Sequence, residues 1–242
     1  MEILKGIGIA DLALWVPSAR LLAITDLQLG SEEMLNIQGI FVPRVNFDEI
    51  CKRLNERILP ALGRMEIETI LINGDLKHGF GKIFGQERKE ACELIKLLAR
   101  HCKKVILVKG NHDAILQPIA DACGAGLFGH YFLEKEKILF VHGDKMPPTK
   151  VLQKAKTLII GHQHPAITIS DGVKRETFKC FLKGKFGRKS LIVMPSMNSI
   201  SHGSDILHEG VISPLIGEKG DFEAYAIEGQ PYFLGKVKYL EK

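Results

Sequence analysis

The sequence has no CxxC pair, no apolar run long enough to cross a membrane, no internal repeat and no low-complexity linker. Each absence narrows the field. The five cysteines (Cys51, Cys92, Cys102, Cys123 and Cys180) are scattered and odd in number, which argues against a disulfide framework or a zinc ribbon. They read as small buried hydrophobes in a reducing compartment. A membrane span needs about 18 to 20 apolar residues, and the first residues here are too interrupted for a secretory h-region. A cytoplasmic protein is expected. With 242 residues, 45% hydrophobic and 25% charged, the chain has an ordinary globular balance, and one domain over residues 1–242 is the economical expectation.

What is present is a series of short apolar runs, each ending in a polar cluster. Residues 20–25 (RLLAIT) precede Asp26-Leu-Gln28, and residues 69–73 (TILIN) precede Gly74-Asp75. Residues 104–109 (KVILVK) precede Gly110-Asn111-His112-Asp113; residues 138–141 (ILFV) precede His142; residues 157–160 (TLII) precede Gly161-His162-Gln-His164. Runs of four to six aliphatic residues without polar alternation read as strands buried on both faces. Helical patterns lie between them. Asn46, with Glu49 three residues on, is expected to cap a helix whose face is Phe47, Ile50, Leu54 and Ile58, ending at Pro60. Residues 86–100 place Ala91, Leu94, Ile95 and Leu98 on a second helical face. The alternation predicts an α/β fold in which the polar strand endings converge on one edge of the sheet, where such sheets bind ligands. From Ala166 onward the segments are short and broken by Gly and Pro, which suggests a second sheet built mainly from hairpins.

In order and spacing, Asp26-x-Gln28, Gly74-Asp75, Gly110-Asn111-His112-Asp113, His142 and Gly161-His162-x-His164 resemble the calcineurin-like metallophosphoesterases. The resemblance runs from about residue 20 to residue 165, and GHxH and GNHD are its most specific pieces. It implies a four-layer αββα sandwich, two mixed β-sheets flanked by helices, with the site at the carboxyl ends of the strands. It further implies two divalent metal ions, one held by Asp26, Gln28, Asp75 and His164, the other by Asp75, Asn111, His142 and His162. Mixed oxygen and imidazole donors suit Mn, Fe, Zn or Co better than Ca. The implied reaction is hydrolysis of a phosphate ester by hydroxide held between the ions, with His112 beside the leaving oxygen. Asp75-Leu-Lys-His78 is the GDxxH form seen in SbcD-type DNA nucleases, so His78 is expected to partner His112 or to contact the substrate phosphate. The stretches GDLKHGFGKI, GIFVPR and GHQHPAI also resemble SbcD-related (ICC-like) phosphoesterases. That group implies DNA as substrate, a role in repair or processing, and a DNA ligase or Lhr-type helicase as partner; the superfamily also includes homodimers.

Two features qualify this picture. Position 28 is histidine in the family's first motif and glutamine here. Three readings stay open: Gln28 ligates through its amide oxygen and favours Mn or Mg, it leaves a weak first site that substrate completes, or the chain is a largely inactive scaffold. Secondly, residues 174–189 carry a net charge of +6 in a chain whose total is +5. Within this window Lys183, Lys185 and Arg188 read either as a solvated hairpin that discourages edge pairing or as a phosphate-backbone contact surface. A DNA-directed phosphodiesterase therefore stands first, with a small-molecule phosphodiesterase or phosphatase as the alternative.

Overall fold

The computed structural model describes residues 1–81, 83–170 and 172–240. The apolar runs are strands, but they divide between two sheets. The first sheet is ordered β1 (Glu2–Leu4), β2 (Ile7–Ala10), β3 (Ala13–Val16), β4 (Leu21–Ile24), β5 (Ile67–Asn73), β6 (Cys102–Val108), β7 (Gly126–Phe128). Its first four strands pair antiparallel and β4 to β7 run parallel. The parallel part needs crossovers. They are supplied by α1 (Ser31–Ile37), α2 (Asn46–Arg53) and α3 (Leu59–Leu62) before β5, α4 (Gly85–Ala99) before β6, and α5 (Gln117–Cys123) before β7.

The second sheet takes β8 (Tyr131–Leu133), β9 (Ile138–Phe140), β10 (Thr157–Ile160), β11 (Pro165–Ser170), β12 (Arg175–Phe186), β13 (Lys189–Val193) and β14 (Ser204–Asp205), in the order β14-β11-β12-β13-β10-β9-β8. Here β9, β10 and β13 are mutually parallel, and β15 (Glu223–Glu228) and β16 (Gln230–Lys236) join antiparallel at β12. Between β9 and β10 lies α6 (Thr149–Lys154). Two mixed sheets with helices outside them form the expected sandwich. The second sheet is not only hairpins, because it recruits β9 and β10 from the α/β half of the chain.

Alternate residues explain why the runs lack polar alternation. In β9 and the residue after it, Ile138 and Phe140 enter the large core shared with the first sheet, whereas Leu139 and Val141 enter a smaller core on the opposite face. Likewise Ile159 and Ile192 face the first core, and Leu158, Ile160, Leu191 and Val193 the second. Both faces of these strands are dry, so polar residues appear only at their ends.

Helix α2 departs from the sequence reading at both ends. Asn46 is its first residue rather than its cap, and the Val45 and Asn46 N–H groups donate to Glu32 Oε1 at 3.0 and 2.8 Å. The Asn46 side chain instead donates to the Leu27 carbonyl at 2.9 Å and accepts from the Ser199 N–H at 2.8 Å, tying two loops together. Nor does Pro60 end the helical segment. A π-turn over Leu54–Ile58 restarts the helix, so Pro60 falls in a new first turn, where a missing N–H costs little.

The two sheets are stitched beside the strand ends by Asn73, fully buried at the end of β5. Its Nδ2 donates to the Val141 carbonyl at 2.9 Å and to the Ile159 carbonyl at 3.2 Å. Replacing it by alanine removes both bonds and strips buried carbonyls of a donor. We expect Asn73→Ala to lower the denaturant midpoint by the equivalent of about 2–3 kcal/mol, and a loss below about 0.5 kcal/mol would show that the sheets are not held there.

Candidate metal centre

Because β4, β5 and β6 run parallel, Asp26, Asp75 and Asn111 leave the first sheet at the same end. β9 and β10 likewise deliver His142 and His162 together from the second sheet. The chain turns sharply at these points. Asp26, Gln28, Asp75, His162 and His164 all adopt left-handed backbone, with φ of 52, 46, 48, 63 and 48°. That region is unfavourable for residues with a Cβ, and such outliers gather where a site over-determines them. Glycine is required beside them: a Cβ on Gly110 would fall on the Asp75 carboxylate, and one on Gly161 on Thr25 Oγ1 and the Asp26 carboxylate.

Polar atoms then crowd a small volume. His142 Nε2 lies 3.0 Å from Asn111 Oδ1, 3.2 Å from His162 Nδ1 and 3.4 Å from Asp75 Oδ2. Its Nδ1 is 3.3 Å from the Asn73 carbonyl. A carbonyl only accepts, so Nδ1 carries the proton and Nε2 turns toward the cluster. Asp75, His142 and His162 each offer an atom within 4.8 Å of the other two. On the other side, Asp26 is fully buried. Its Oδ2 accepts from Thr25 Oγ1 at 2.9 Å and from the His162 N–H at 3.0 Å. Its Oδ1 has no hydrogen-bond partner, although His164 Nε2 is 3.2 Å away and His142 Nδ1 3.6 Å.

The electrostatics show what this crowding wants. Burial opposes charge on His142, but the Asp75 hydrogen bond and the charges of Asp26 and Asp75 push it up to about 9. Burial also works against the Asp75 carboxylate, and the hydrogen bond and charge of His142, then His112, outweigh it and hold Asp75 low. Burial and the neighbouring His142 charge hold His162 low. Acceptors that recruit an extra proton, together with a dry carboxylate oxygen left, between two histidines, without a hydrogen bond, are a donor set for divalent cations. The residues present therefore fit the implied metals, most completely at Asp75, Asn111, His142 and His162.

His112 faces this cluster: its N–H donates to Asp75 Oδ1 at 3.1 Å and its Nε2 is 3.7 Å from Asp75 Oδ2. His78 stacks on it with ring centroids 5.4 Å apart, and the His78 carbonyl pairs with His112 Nδ1. Burial, then the His112 charge, lowers the His78 pKa. Gln28 lies at the Asp26 side, where its Oε1 accepts from Asn198 Nδ2 at 3.0 Å. The Asn198 amide cannot be reversed, because its Oδ1 takes the Ile200 and Ser201 N–H groups at 2.8 and 3.4 Å.

Lys185 and Arg188 are not brought to this centre. Strand β13 starts beside Thr157 and ends beside Ile160, so the β12–β13 hairpin holding Lys185 and Arg188 sits at the opposite end of the sheet. Lys183 is paired with Glu223 at 2.5 Å and with the Tyr225 hydroxyl at 3.1 Å. Lys179, from the same window, is half-buried and donates to the Ser196 and Asn198 carbonyls, and desolvation pushes it down to about 7.

Two contributors had no role in the sequence reading. Asn198 N–H donates to the Asp26 carbonyl at 3.1 Å, besides holding Gln28. Its signal was available: β13 is another apolar run ending in polar residues, Ser196 and Asn198. Asp113, buried, accepts from Gly110 N–H at 3.0 Å and from Leu76 and Lys77 N–H at 3.4 Å each, locking the β5 and β6 loops together. Burial, then the Asp75 charge, pushes it up to about 6.

A profile of the calcineurin-like phosphoesterases matches residues 19–185, more than half the chain. The chain belongs to that family. This calcineurin-like phosphoesterase is also similar in fold to the Pseudomonas putida nuclease MPE, at 18% identity over 93% of each chain with a TM-score of 0.64. Weaker similarities include Vps29 of Entamoeba histolytica complexed with zinc, 18% identical over 88% of this chain and 96% of that one, TM-score 0.37. Another is the Escherichia coli phosphoesterase Yfce, 16% identical over 86% and 87%, TM-score 0.35. No curated protein matches the chain.

Gln28 brings an amide to the Asp26 side, whereas His142 and His162 bring imidazoles to the Asn111 side. In titration calorimetry with Mn, we expect Gln28→His to tighten the weaker of two binding events and leave the tighter one in place. An unchanged or lower affinity would show that position 28 is not a ligand.

Proposed function

We propose that this phosphoesterase is a divalent-metal-dependent phosphodiesterase acting on DNA, in the manner of a nuclease. One observation carries the reading: Asp75, Asn111 and His162 crowd His142 Nε2, and on the other side of that ring His164 faces a buried Asp26 oxygen that has no hydrogen-bond partner. Asp75, Asn111, His142 and His162 would hold one ion, and Asp26, Asp75, His164 and Gln28 the other. Divalent ions there supply Lewis acidity to the phosphoryl oxygens and lower the pKa of water. Mn is the expected ion, with Fe, Zn, Co or Mg compatible with the donors.

The remaining work falls to the chain. The His78 carbonyl fixes the His112 Nδ1 proton, so the exchangeable position is Nε2, which faces Asp75. That atom is placed to donate to the leaving oxygen as charge develops on it. Buried Asp113 keeps the Asp75 and His112 loops in register and so preserves this aim. His78 backs the His112 ring and supports the nuclease-like form of the motif.

DNA processing in repair, a DNA ligase or Lhr-type helicase as partner and homodimerisation remain part of this reading through the family resemblance, and a cytoplasmic location and the one-domain organisation through composition and length. The remoteness of Lys185 and Arg188 from the centre favours a second reading, a phosphodiesterase or phosphatase of small molecules.

A metal-by-substrate screen separates these. With Mn, we expect hydrolysis of bis-p-nitrophenyl phosphate and faster cleavage of single-stranded or nicked DNA than of nucleotides. Asp75→Asn should reduce both by roughly a hundredfold or more. Turnover of nucleotides alone would favour the second reading, and activity indifferent to Asp75→Asn would remove the centre from the reaction.

A further inference from the structure

The strongest unassigned feature lies against His112. Phe80 is 64% exposed, yet its ring centroid is only 3.8 Å from that of His112, tilted by 36°. The His112 side chain is just 12% exposed. One part of the phenyl ring therefore covers the imidazole, and the rest is open to solvent beside the cluster.

This position is built rather than incidental. The Gly79 N–H donates to the fully buried Glu87 carboxylate, and Lys77 Nζ donates to the Gly79 carbonyl. His78 N–H donates to the Leu29 carbonyl at 2.9 Å, and the His78 carbonyl holds His112. A side chain at position 79 would meet Glu87 Oε1 and the Phe84 ring. The backbone just before Phe80 is thus tied to β-strand endings and to α4, which presents an exposed aromatic ring from a fixed support.

We propose that Phe80 is a stacking platform for the nucleobase of the nucleoside flanking the scissile phosphate. This rests on the phosphodiester reading above and names the part of the substrate that the centre itself does not touch. The occupant must be joined to a phosphate at Asp75 and His112, must be flat, and must tolerate water at its edges, because the platform is open rather than enclosed. A nucleobase meets all three conditions, since every base offers a π-face while its polar edge stays hydrated. A face-only contact reads no base edge, so the platform selects nucleotides over other phosphodiesters without selecting sequence. It also gives the site a hold on nucleic acid independent of the distant basic hairpin.

The test uses dinucleoside monophosphates, whose single phosphodiester fixes the scissile bond, and their counterparts lacking both bases. The wild-type ratio of kcat/KM, base-bearing over abasic, should be roughly thirtyfold, the middle of the range for one stacked base. Phe80→Ala should bring that ratio near one, and Phe80→Tyr should restore it. A second measurement needs no turnover: a phosphorothioate analogue carrying 2-aminopurine should lose fluorescence on binding to wild type and to Phe80→Tyr, but not to Phe80→Ala. A ratio and a quench that Phe80→Ala leaves unchanged would overturn the proposal and leave Phe80 as a cover for His112. If wild type cleaves no phosphodiester, the activity reading fails, and the fluorescence difference alone still decides whether a base stacks on Phe80.

Discussion

Two carboxylates, Asp26 and Asp75, are taken out of water at the seam between two sheets, and the structure around them answers to that burial. An ionised group in such a place is tolerated only with donors or cations around it. Thr25 Oγ1 and the His162 N–H serve one oxygen of Asp26, and the His112 N–H serves one oxygen of Asp75. The other oxygens face histidines. The left-handed turns, the glycines against the carboxylates and the Asn73 clamp follow from the need to bring groups from five strand ends into one small volume. Since neither sheet supplies the whole set, the seam and the centre depend on each other.

The two halves of this centre differ in how firmly they are built. On the Asn111 side, His142 has its tautomer fixed by Asn73 and its reactive nitrogen ringed by acceptors. On the Asp26 side, position 28 offers an amide in place of an imidazole, and that amide is steered by Asn198. Asn198 is in turn held through its carbonyl by Lys179, a lysine of the basic window that burial has turned into a structural donor. A short network of amides and carbonyls thus holds the Gln28 amide in place. The network leaves one lone pair of Gln28 Oε1 uncommitted, which is compatible with a weaker, harder ligand at that side.

Much of this was legible in the sequence for a physical reason. Strands dry on both faces can carry polar residues only at their ends, so Asp26, Asp75, Asn111, His142 and His162 stood out against uninterrupted apolar runs. What did not show was pairing. The sequence does not say that β9 and β10 belong to a different sheet from β4, β5 and β6, because both sheets bury both faces of these strands. Asn46 looked like a helix cap because capping and loop-tying use the same short amide, and only the position of Glu32 decides between them. The basic window looked like one surface, yet a twelve-residue strand carries Lys179 toward the centre and Lys185 away from it. Charge in sequence became charge in space only once the register of β12 was known.

The central claim is that this seam binds divalent cations. Crystals grown with Mn, measured on both sides of its absorption edge, test it most directly through the anomalous signal. The account predicts one strong peak among Asp75, Asn111, His142 and His162, and a second, weaker peak between Asp26, Asp75 and His164 on the Gln28 side. Saturating Mn with no anomalous peak at the seam would contradict it.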